Sequence, residues 1–123
     1  MKHTEEQLLQ EITQTLDYLD AATYGKERTN GRFLPPNARK FYSCAKHLYE
    51  VTYELVDKFQ PAYITDNDFR FIYDSQRLLI PELYIFKDRN KLKGDKLTQK
   101  LEEYLLKIQG DFSCILSFIN RGT

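Results

Sequence analysis

A chain of 123 residues is long enough to build a core of its own without disulfide or metal staples. Apolar residues make up 41% and charged residues 29%, and the 18 basic side chains are matched by 18 acidic ones, so binding of nucleic acid by bulk charge alone is excluded. No apolar run approaches the roughly 20 residues of a membrane span, and the start Met1-Lys2-His3-Thr4-Glu5-Glu6 lacks a signal-peptide pattern. The only two cysteines, Cys44 and Cys114, read as small core residues of a reducing compartment. The expectation is one cytoplasmic domain over residues 1–123, away from membranes and without a cofactor.

Four helical segments stand out, and no stretch alternates with period two long enough to form a strand. The first opens on Thr4 and Gln7, which have the spacing of a capping box. Leu8, Leu9, Ile12, Leu16 and Leu19 then share one face up to the Gly25 region. The second follows Pro35-Pro36, residues suited to a first helical turn, and ends before Pro61. Its apolar face is Phe41, Cys44, Leu48, Val51, Leu55 and Phe59.

The third begins at Thr65-Asp66-Asn67-Asp68, which is rich in N-cap residues. It buries Phe69, Ile72, Leu79, Leu83 and Phe86, with a kink or break expected near Pro81. The fourth starts around Asp95 and carries Leu97, Leu101, Tyr104, Leu105, Ile108, Phe112, Ile115 and Ile119, with an interruption expected at Gly110. The predicted fold is an all-α bundle of four to five helices.

The neutral total conceals an uneven distribution of charge. Residues 1–24 carry one base against five acids and 61–86 two against four. Residues 25–60 carry seven bases against four acids, and 87–100 six against two. The two positive blocks contain the most loop-like stretches, 24–32 and 87–96, whose cations suit a positioned anion contact and equally suit plain solvation on the surface.

On the second helix Arg39, Tyr42, Lys46, Tyr49 and Tyr53 recur at spacings of three and four. At about 100° per residue they form a stripe away from the Phe41–Phe59 face. Cations interleaved with aromatics suit phosphates and unstacked bases, and a central helix accounts for them as well: Tyr49 and Tyr53 read rather as packed under neighbours, Arg39 and Lys46 as surface residues.

Catalytic chemistry finds little support. His3 lies at a terminus expected to fray, and His47 follows Cys44 by three residues on a helix whose apolar face claims that thiol. Two His and two Cys at these spacings match no zinc pattern. Helical ribonucleases of the nucleotide-binding, higher-eukaryote and prokaryote type place four to six residues between an Arg and a His. Here seven residues separate Arg39 from His47, leaving them about 80° apart around the helix.

Two stretches carry a family resemblance. Leu34-Pro-Pro-Asn-Ala-Arg-Lys-Phe-Tyr-Ser-Cys-Ala-Lys-His-Leu-Tyr49 resembles the segment of the type III CRISPR small subunit (the Csm type) in which a capped helix bears Arg and Lys. Leu79, Pro81, Leu83 and Arg89 match, without a gap, that family's Leu-x-Pro-x-Leu segment closing on Arg. Small residues and Gly precede that Arg in the family, whereas Phe86, Lys87 and Asp88 stand here.

The resemblance implies a noncatalytic all-α subunit, stacked in copies among the other subunits of a CRISPR ribonucleoprotein and contacting the backbone of guide or target RNA. Arg39, Lys40 and Arg89 are the basic positions it carries over, and the charge pattern adds Lys46, Lys87 and Arg32 as further RNA contacts. Two readings from other classes stand beside it. One is a small oligomeric four-helix scaffold of the intervening-sequence or retroelement-accessory type, and the other is a protein-interaction adaptor.

Overall fold

The computed structural model describes residues 3–24, 38–77 and 94–121. All regular structure among them is α-helical: α1 (Glu5–Tyr24), α2 (Ala38–Phe59), α3 (described over 66–77), α4 (Gly94–Asp111) and α5 (Ser113–Arg121). Helix α1 starts where the capping residues dictate. The Thr4 N–H donates to Gln7 Oε1 at 2.9 Å, and the Gln7 N–H donates to Thr4 Oγ1 at 3.1 Å. Thr65 and Asp68 repeat the device before α3, with reciprocal bonds of 3.3 and 3.1 Å.

Helix α2 stops because Pro61 has no N–H to continue it. Gln60 closes the end with a left-handed backbone, φ 41°, its N–H donating to the Val56 carbonyl. Gly110 does not interrupt α4, which passes through it with open space where a Cβ would stand. The division falls instead at Phe112, between α4 and α5, where i to i−4 hydrogen bonds still run from Phe112 to Ile108 and from Leu116 to Phe112. Phe112 is fully buried, so its ring anchors the junction in the core.

Side-chain pairs settle the topology. His3 meets Glu54 and Glu11 meets His47, so α1 and α2 are antiparallel. The rings of Tyr49 and Tyr73, and of Tyr53 and Phe69, pair α2 with α3 in the same sense. Ser75 on α3 bonds Asp111 at the end of α4, while Tyr63, in the turn after α2, donates to Glu5 and stacks on Phe118 of α5 at 3.7 Å. The helices therefore run up, down, up and down, with α5 prolonging α4. One end of the bundle collects the end of α1 and the starts of α2 and α4.

One cluster of buried side chains joins the helices. It includes Leu8, Ile12, Leu16 and Leu19 of α1, Phe41, Leu48, Val51 and Leu55 of α2, Ile72 of α3, and Leu101, Leu105, Ile108, Phe112 and Ile115 of α4–α5. Each such aliphatic side chain contributes roughly 1.5–3 kcal/mol on leaving water. Phe59, expected on the buried face of α2, is 38% exposed because the helix ends there and the chain turns away at Gln60. Cys44 and Cys114 lie at the core margin rather than inside it. The expected break near Pro81 lies outside the described residues. No described helix is long and apolar enough to cross a membrane.

Candidate nucleic-acid interface

Helix α2 turns one side to the core and leaves the opposite side open. Arg39, Lys40 and Lys46 are all exposed on the open side. Arg39 and Lys46 are seven residues apart and so differ by only about 20° around the helix. Lys40 stands about 100° further round, toward α1. There its ammonium partly offsets the burial that raises the Cys44 thiol above its ordinary pKa. Lys87, Arg89 and Arg32 lie outside the described residues.

The tyrosines of the stripe divide between packing and exposure. Tyr49 is half-buried with its ring centroid 5.5 Å from that of Tyr73, and burial with a bond to the Tyr73 hydroxyl raises its phenol pKa. Tyr53 keeps 49% of its surface exposed while its ring leans on Phe69 at 6.4 Å. Phe69 and Tyr73 stand 6.2 Å apart, so four rings follow one another along the seam between α2 and α3.

The guanidinium of Arg77 lies over Tyr73 at 5.8 Å and closes this row at the level of Lys46. Arg77 was not singled out from the sequence. Its signal is Arg70, Tyr73 and Arg77 at spacings of three and four on α3, the same rhythm that marks the stripe on α2. Exposed acids share the row's surface: Glu50 and Asp57 stand three residues before and four after Tyr53 on the same side of α2, and Asp74 lies three residues before Arg77 on α3.

A second concavity, about 470 Å³, lies between α1 and α2, with His3, His47, Glu11, Glu50 and Glu54 among its walls. His3 is held rather than frayed, with Nδ1 3.2 Å from both Glu54 carboxylate oxygens, and His47 Nε2 meets Glu11 at 2.8 Å. Bonds from Lys58 and then His3 hold the Glu54 carboxyl below its ordinary pKa. These pairs tie α1 to α2. They leave the His47 ring engaged away from Cys44, whose raised pKa keeps it a thiol. Among the described residues, no group of three or more His, Cys, Asp or Glu side chains gathers as a metal site.

Compared with known proteins, the chain matches no family model, no curated protein and no solved structure.

Proposed function

We propose that the chain is a noncatalytic small subunit of a type III CRISPR RNA-guided effector complex, working in the cytoplasm. It stacks with copies of itself and with other subunits and touches the backbone of guide or target RNA. The observation that carries this reading is the grouping of Arg39 and Lys46 on the open side of α2 with Arg77 beside them on α3. The two stretches that resemble that family support it from the sequence. Phosphate contacts of this kind position a strand without reading its bases. A chain of zero net charge gains little from counterion release alone, so its RNA contact depends on protein neighbours completing a groove.

Phe71 and Leu106, each 60% exposed, favour a role in which protein surfaces are covered, and on that ground the oligomeric scaffold or adaptor stands as the second reading. Reconstituted complexes of equal composition carrying wild type or Arg39→Glu/Lys46→Glu separate the two. RNA contact predicts weaker target binding by the double variant and a salt dependence shallower by about 1.4, at roughly 0.7 per lost single-strand phosphate contact. Equal affinities and equal slopes favour the scaffold.

A further inference from the structure

From the row of rings between α2 and α3, we infer that this seam binds single-stranded nucleic acid lying along it, a base stacking on Tyr53 at one end while Lys46 and Arg77, two helical turns away at the other end, hold phosphates further along the same strand. The inference rests on the RNA-contact reading and adds to it the kind of strand and the means of holding it. Three observations combine. Tyr53 is the most exposed ring of the row, at 49%, and its ring leans at a tilt of 49° toward Phe69, so about half of it stays open to solvent beside a packed neighbour. Arg77 is held over Tyr73, which places a guanidinium beside the aromatic row rather than out on a free tether. Lys46 is exposed one turn before Tyr49, at the same end of the row.

The occupant follows from complementary charge and shape. Cations beside open aromatic faces suit an anionic chain that carries flat apolar rings, and a duplex keeps those rings inside its stack. Tyr49 and Tyr73 are half-buried against each other and offer no second open ring in the row. One base per subunit is therefore the expected occupancy, without preference among sequences.

The test compares three labelled probes on the full chain at low salt by fluorescence anisotropy. They are a short oligouridine, the duplex it forms with oligoadenosine, and an abasic phosphodiester chain of equal length. Oligouridine should bind about tenfold more tightly than the abasic chain, the scale of one stacked base, and more tightly than the duplex. Tyr53→Leu should erase the preference for bases while leaving the melting temperature within a degree or two, since the ring is half outside. Tyr53→Trp should keep or raise the preference.

Equal binding of oligouridine and the abasic chain would overturn the stacking inference while the phosphate-contact reading survived. An unchanged preference in Tyr53→Leu would also overturn it. Failure of the isolated wild type to bind any of the probes would overturn the stacking inference alone, because the phosphate-contact reading requires neighbouring subunits and is decided by the reconstituted complexes.

Discussion

Gln60 holds the left-handed backbone that closes α2, a conformation that costs a side chain with a Cβ about 1–2 kcal/mol. Gln60→Gly removes that strain and returns part of the gain to the unfolded chain as entropy. A net stabilisation of roughly 0.5–1 kcal/mol should appear as a higher urea midpoint. Gln76 presents the opposite situation inside the bundle. It is fully buried on α3, and neither its Nε2 nor its Oε1 meets a hydrogen-bond partner among the described residues. An unsatisfied buried amide costs about 1–3 kcal/mol, so Gln76→Met, of similar length and shape, should raise the melting temperature. An unchanged or lower melting temperature would show that the amide is satisfied in solution.

Between elements, Tyr63 ties the end of the bundle opposite the start of α2, joining α1 through Glu5 and α5 through Phe118. Burial first, then the bond to the Glu5 carboxylate, push its phenol pKa well above the ordinary 10.0. The sign follows from proton counting. Above pH 10 the unfolded chain loses the phenolic proton while the folded chain keeps it, so stability falls as pH rises. Tyr63→Phe keeps the stack on Phe118 and should flatten that alkaline decline in melting temperature.

Within the core, Leu48 and Ile108 are fully buried on α2 and α4, and truncating either to Ala should cost roughly 2–5 kcal/mol in chemical unfolding. Phe59→Ala should cost well under that, because its ring lies partly in water past the last packed turn of α2.

Over the whole molecule, both ends of the bundle carry both signs of charge, and the cations of α2 and α3 form a local group. The start of α2 brings Arg39, Lys40 and then Lys46, and α3 brings Arg77 to the level of Lys46. Asp20 of α1 and Glu102 of α4 lie at that same end beside Tyr24, and Glu5, Glu6, Glu54, Asp57, Asp66 and Asp68 fall with Lys58, Arg70 and Arg121 toward the other. A neutral protein can in this way carry local fields of both signs, which act over about 8–10 Å at physiological salt. RNA contact by the assembled complex should therefore weaken as salt rises. Arg77→Glu, a position away from the α2 stripe, should weaken it as well, measured as target affinity across a salt series with wild type as reference.

The linear chain was sufficient to determine the helices, their capped starts at Thr4 and Thr65, and most of the buried face. Each of these depends on residues within a turn or two of one another, where 3.6-residue periodicity and local hydrogen bonds decide the outcome. Helix α4 passes through Gly110 because a glycine lowers helix propensity without forbidding the helix, and the division from α5 falls two residues later at the buried Phe112. Of the candidate interface, Arg39, Lys40 and Lys46 were legible as exposed cations on one helix. Their association with Arg77, the half-burial of Tyr49 against Tyr73 and the open face of Tyr53 were not. Those depend on α2 and α3 lying antiparallel with residue 49 opposite 73, a register set by packing between helices some 24 residues apart along the chain. Only the tertiary structure could bring the two halves of that seam together.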